Sequence, residues 1–152
     1  MSAASPAAER ELVIVRTFDA PRALVWQAWT DPARARAWGP KGFTTSAREM
    51  GTRPGEPWHA VLVAPDGTEH RQHGVMREIV PLERLAFTFV WDAFPEEEML
   101  VSVSFADDGP RTVMTFRQTG FASDASRDGH RGGWNEAFDA LEAVAGRLAH
   151  GD

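Results

Sequence analysis

Histidines at positions 59, 70, 73, 130 and 150 are the side chains best suited to move protons or hold a metal in this chain. His70 and His73 fall in a segment of strand character at an odd spacing, so they point to opposite faces and cannot easily share an ion. His150 belongs to the end of the last helical pattern. His130 is different, because it continues an apolar helical stripe one turn before Trp134. It is placed either as the polar anchor at the mouth of a pocket or as a helix-start histidine satisfied locally. There is no G-x-S-x-G, no H-E-x-x-H, no Walker loop and no dinucleotide fingerprint. No catalytic residue, metal or cofactor is therefore expected. Arg77, Glu78 and Gln118 lie in strands, and their facing is open. Turned inward, Arg77 or Glu78 could join His130 in acid–base work of a cyclase or hydrolase kind.

Aromatic residues carry the stronger signal. Six tryptophans and nine phenylalanines occur without one tyrosine, and large rings either fill a core or line a ligand pocket. Trp134 lies in mid-stripe, beside Gly132 and Gly133, whose helix cost of roughly 2 kcal/mol implies close backbone approach or a bend. The candidate lining is Trp134, Phe138 and His130 from that helix, with Trp38 and Trp58. Phe87, Phe89, Trp91, Val101, Val103, Met114 and Phe116 join them from the strands.

These residues need elements to position them. Leu12–Phe18 is β-branched and apolar, and Asp19-Ala20-Pro21 ends it as a strand. Pro21 opens a helix to about Trp29, and Asp31-Pro32 opens a shorter one ending near Trp38. Strands follow over 43–50, 58–63, 69–80, 85–91, 99–105 and 112–118. Gly51 to Pro54, Pro65-Asp66-Gly67, Pro81 and Asp107-Asp108-Gly109-Pro110 punctuate them. Period two then gives way to 3.6, with His130, Trp134, Phe138, Leu141, Ala145 and Leu148 on one helical stripe that begins between Ser123 and Arg127. The order is strand, two helices, six strands and one long helix. It predicts an α+β fold in which a curved antiparallel sheet of six to seven strands wraps around the C-terminal helix. Residues 11–150 form the single domain, and 1–10 read as a frayed tail.

Composition excludes several classes. The net charge of −6, from 22 acidic and 16 basic residues, argues against a nucleic-acid partner. Cysteine is absent, which removes disulfides and zinc–thiolate sites. No apolar run of membrane-spanning length occurs, and the first ten residues lack the apolar stretch of a secretory signal, so a cytoplasmic protein is expected. Glu96-Glu97-Glu98 reads as a solvated loop, with protein docking as the alternative.

Seven segments in order resemble one family. They are Phe18-Asp19-Ala20-Pro21 with Val25-Trp26-Gln27-Ala28-Trp29-Thr30-Asp31-Pro32, Trp38-Gly39-Pro40-Lys41-Gly42-Phe43, Arg53-Pro54-Gly55-Glu56-Pro57-Trp58, Pro65-Asp66-Gly67-Thr68, the stretch from Gly74 to Leu85, Met99 to Phe105, and Gly133-Trp134-Asn135-Glu136. Across about residues 12 to 148 the chain resembles bacterial proteins similar to the C-terminal domain of the activator of the heat shock protein 90 ATPase. These belong to the START-like (SRPBCC) superfamily. The resemblance implies the helix-grip fold, with a cavity between sheet and C-terminal helix that takes small apolar molecules in many relatives. It implies no single activity, since lipid carriers, hormone receptors, aromatase/cyclases and co-chaperone domains share the superfamily. Ala37 stands where a second tryptophan is common and Met76 where an aromatic is, which alters the pocket's shape. The expected function is binding of a small apolar or aromatic molecule. The alternatives are a co-chaperone-type module that docks a chaperone or other protein in a stress response, or a cyclase/hydrolase-like enzyme. Monomer and homodimer are both compatible.

Overall fold

Alternation builds the first strand: Leu12, Ile14 and Phe18 are buried, while Val13, Val15 and Thr17 face out. The structure, a computed structural model, describes residues 10–151; the expected tail lies outside the described residues except for Arg10. That residue is anchored, Nη1 donating to Phe121 O at 3.0 Å and Nε to Asp124 Oδ1 at 3.1 Å. The elements run β1 (Glu11–Phe18), α1 (Arg22–Thr30), α2 (Pro32–Ala35), β2 (Thr44–Glu49), β3 (Pro57–Val63), β4 (Glu69–Val80), β5 (Arg84–Trp91), β6 (Met99–Asp108), β7 (Arg111–Thr119) and α3 (Asp124–Ala149). All pairings are antiparallel, and the sheet order β1-β7-β6-β5-β4-β3-β2 makes a meander with β1 added beside β7.

Helix starts follow local chemistry. Asp31 caps α2, its Oδ1 accepting from Ala33 N at 3.0 Å, with Pro32 in the first turn. The helix expected to reach Trp38 stops at Ala35. Ala37 N turns back to Arg34 O at 3.0 Å, and Trp38 swings inward to donate its indole N–H to Ala28 O of α1 at 2.9 Å. Ser123 caps α3 through Ser126 N at 3.0 Å.

The long helix has two unlike halves. Its C-terminal half buries Phe138, Leu141, Val144 and Ala145 against the sheet and α1. Arg16 fastens it to β1 by donating to Asn135 O at 3.0 Å and pairing with Asp139 at 2.8 Å. Its N-terminal half carries a line of small residues, Ala125, Gly129 and Gly133, beside His130 and Trp134.

Gly74 sets the fit of the strands beneath. It pairs in register with Trp58, whose indole crosses β4 at this point to donate to Thr88 O at 2.7 Å. A Cβ at Gly74 would collide with both Thr88 O and Trp58 Nε1. Gly74→Ala should cost about 3 kcal/mol or more of folding free energy, because backbone must move to admit the methyl. Urea denaturation measures it, and a loss under about 1 kcal/mol would contradict this packing.

Candidate functional site

Where the small half of α3 stands off from the sheet, a cavity of about 440 Å³ remains. Ala125, Gly129, Gly133 and Ala137 face it at intervals of four, one line along the helix. A Cβ added at Gly129, Gly132 or Gly133 would meet nothing within 4 Å. The close backbone approach expected at Gly132-Gly133 is therefore absent, and the glycines border open space. Leu62, Phe89 and Trp91 form the floor, while Pro40 and Phe43 close one end. Exposed residues at the rim, His70 and Glu136 among them, put the mouth in solvent.

The polar part of the floor comes from a register row. Arg48 pairs with Ala60, Ala60 with Gln72, and Gln72 with Trp91. These four residues cross β2 to β5 on the concave face. Arg48 is there because of a bulge. Pairing slips between Thr45 and Ala47, so the inward residue after Thr45 is Arg48, and Glu49 stays exposed. Without that extra residue strict alternation would turn Ala47 and Glu49 inward and Arg48 out.

Arg48 is 8% exposed and Gln72 7%. The Arg48 guanidinium lies over the Trp38 ring, 4.5 Å from its centre, and Nη1 donates to Ala35 O at 3.1 Å. Among the described residues no carboxylate pairs with it, and the Gln72 amide has no side-chain hydrogen bond. Burial lowers the Arg48 pKa from its ordinary value to about 10, so the charge persists at neutral pH. A base with a depressed folded-state pKa costs stability while charged, and that cost fades only as pH climbs through about 10. The cost is on the order of 3 kcal/mol. It is offset by a ring contact worth about 2 kcal/mol and a charged hydrogen bond worth about 1.5–3 kcal/mol.

His130 sits at the mouth with both ring nitrogens engaged. Its Nδ1 lies 2.7 Å from Ser126 O, and its Nε2 accepts the Trp91 indole N–H at 2.9 Å. This pattern selects the neutral tautomer with the proton on Nδ1. Trp134 is clamped by donating to Gln118 Oε1 at 2.8 Å, and its ring packs 4.6 Å from Phe116. Glu97 is no free loop charge: it accepts from Ser126 Oγ at 2.7 Å and Ala122 N at 2.8 Å, tying the β5–β6 loop to the start of α3. Glu56 and Asp66, whose pKa values are held down chiefly by the N–H groups of Thr52 and Thr68, lie in turns away from the cavity.

Of the expected lining, Phe89, Trp91, His130 and Trp134 meet at the cavity. Trp38, Trp58, Phe87, Val101, Val103, Met114, Phe116 and Phe138 are instead sealed in the core. On β7, Phe116 packs against Trp134 and Phe138 of α3, and α1 packs on β6 and β7 beside it. Arg77 and Glu78 are exposed, Glu78 pairing with Arg84, and Gln118 is spent on Trp134 and Met99. Arg48, Gln72 and Leu62 were not anticipated. Parity with buried Met76 marks Gln72, and parity with Trp58 marks Leu62, but nothing in the local sequence marks the bulge. Among the described residues no three His, Asp or Glu side chains cluster to hold a metal.

A curled antiparallel sheet gripping one long helix defines a helix-grip, START-like protein. The family model described as "Activator of Hsp90 ATPase homolog 1-like protein" matches residues 19–146, and the chain belongs to that family. No curated protein matches it. Among solved structures it is similar to a protein from Chromobacterium violaceum, with 26% identity, TM-score 0.81, and coverage of 89% of this chain and 96% of that one. It is similar in fold to the AHSA1 protein from Silicibacter pomeroyi, at 23% identity, TM-score 0.81, and 94% and 100% coverage. A protein from Arthrobacter aurescens gives 24% identity, TM-score 0.79, and 96% and 91% coverage.

Arg48→Met keeps a polarizable chain against Trp38 and removes the buried charge, so its unfolding free energy should stay within about 1 kcal/mol of wild type. Chemical denaturation at pH 7 checks this. A loss of about 3 kcal/mol or more would make Arg48 a structural strut.

Proposed function

We propose that this protein binds one small, largely apolar molecule in the cavity between the sheet and the first half of α3. The observation that carries the proposal is the line Ala125, Gly129, Gly133 and Ala137, which faces open space from the exposed Ala125 and Gly129 at the mouth inward to the buried Ala137. Glycines inside a helix cost roughly 1 kcal/mol each relative to alanine. With no neighbour requiring them, what they provide is room. The volume of about 440 Å³ falls in the range of small-molecule sites, and rings at Phe89, Trp91 and Trp134 supply flat apolar walls. His130 braces the mouth by holding Trp91.

The family description favours a second role, in which the chain docks a chaperone. Such docking needs a broad exposed apolar patch. The exposed Val13 and Val15 of β1 stand beside Arg117 and Thr115 of β7, so their surroundings are polar and the cavity is the better supported site. No helix among the described residues is long and apolar enough to cross a membrane. We place the protein in the cytoplasm by the same proposal.

N-phenyl-1-naphthylamine, a neutral apolar dye, tests the proposal by fluorescence titration. Wild type should give saturable binding at one site. Gly133→Leu should abolish it without lowering the melting temperature, since leucine gains about 0.8 kcal/mol of helix propensity and enters open space. Unsaturable binding, or equal binding by the variant, would refute a functional cavity.

A further inference from the structure

The cavity holds a cation that the fold leaves without a counter-ion. Arg48 is buried on the cavity wall with one hydrogen bond to a backbone carbonyl and no carboxylate partner among the described residues. Its Nε and Nη2 are not sealed by protein, being absent from the buried atoms that lack partners. Gln72, equally buried and on the same wall, makes no side-chain hydrogen bond to protein. Both come from one register row, two strands apart with Ala60 between them. Neighbouring strands lie about 4.8 Å apart, so the two backbones stand about 10 Å apart, and the alanine methyl leaves the space between them low. Two polar groups, each more than nine-tenths buried, thus border the same hollow, whose remaining floor is Leu62, Phe89 and Trp91.

We infer that the ligand of this cavity is a monoanion, a small carboxylic acid with an apolar, ring-containing body, whose carboxylate is received by Arg48 with Gln72 beside it. The inference rests on the cavity being a ligand site and adds the chemical class of the ligand. A carboxylate supplies the missing counter-charge and accepts from the free guanidinium edge and from the Gln72 amide. One cation matches one negative charge. A phosphate dianion would leave charge uncompensated among apolar walls, with Glu136 at the rim repelling it. A neutral ligand would leave the buried cation as it is. The apolar body then lies toward Phe89 and Trp134, at the end where α3 presents its glycines.

The test uses two probes of one shape, naphthalene-2-carboxylate and naphthalene-2-carboxamide, each displacing N-phenyl-1-naphthylamine from the whole protein. On wild type the carboxylate should displace the dye at a concentration at least about tenfold below the amide, the discrimination expected of one charge-assisted contact. Arg48→Gln should bring the two probes within about twofold of each other, and Gln72→Leu should weaken the carboxylate more than the amide. Circular dichroism checks that each variant is folded, and the comparison on wild type decides even if one is not. Saturable dye binding with equal displacement by both probes on wild type would overturn the anionic ligand and leave the cavity as a ligand site. A preference for carboxylate that survives in folded Arg48→Gln would also overturn it. Failure of wild type to bind the dye at all would remove the cavity reading itself.

Discussion

One long helix, with α1 and α2 beside it, has to cover the concave face of seven strands, and the site follows from how α3 does so. At 1.5 Å per residue the 26 residues of α3 span about 39 Å, long enough to cross the sheet but only one side chain deep. Phe138, Leu141 and Val144 reach down and close the core over β1 and α1. Gly129, Gly133 and Ala137 cannot reach. The cavity is the difference between those halves. The packing that stabilises the protein and the opening beside it are thus set by separate stretches of one element. Substitutions in the second half should therefore act on stability, and those in the first half on occupancy.

The floor repeats this division in polarity. The indole rings of Trp91 and Trp134 are fixed by hydrogen bonds within the protein. Trp134 is held by Gln118 and Trp91 by His130, which is itself held by Ser126. Their indole N–H groups are therefore satisfied within the protein, and with Phe89 they offer apolar faces inward. Arg48 and Gln72 are the opposite case, buried with hydrogen-bonding capacity unspent. The cost of burying Arg48 is met by Trp38 and Ala35, so the apo fold tolerates the charge. That balance leaves the cation available rather than locked in an internal ion pair.

Much of this was legible before the structure. Element order and the meander followed from Gly/Pro punctuation and the change of period from 2 to 3.6, and the helix start fell within the expected window at Ser123. Of the twelve residues expected to line a pocket, Phe89, Trp91, His130 and Trp134 border the cavity. The other eight lie in the core. Alternation identifies an inner face but not how much of it the helix fills. Gly132-Gly133 reads in sequence as close backbone approach or a bend, and the structure has open space beside it, since a glycine in sequence looks the same against a neighbour or against a void. Arg48 was hidden by a single inserted residue, which reverses strand parity without any glycine to announce it. Register, a property of two strands together, was needed to bring Arg48 and Gln72 into one row.

The most direct measurement is a crystal structure of the protein with naphthalene-2-carboxylate. The ring should lie between the Gly129–Gly133 face of α3 and Phe89, with a carboxylate oxygen within hydrogen-bonding distance of the Arg48 guanidinium. A ligand bound on the outer face of the sheet would contradict the account. So would a ligand in the cavity with its carboxylate turned to the mouth and Arg48 untouched.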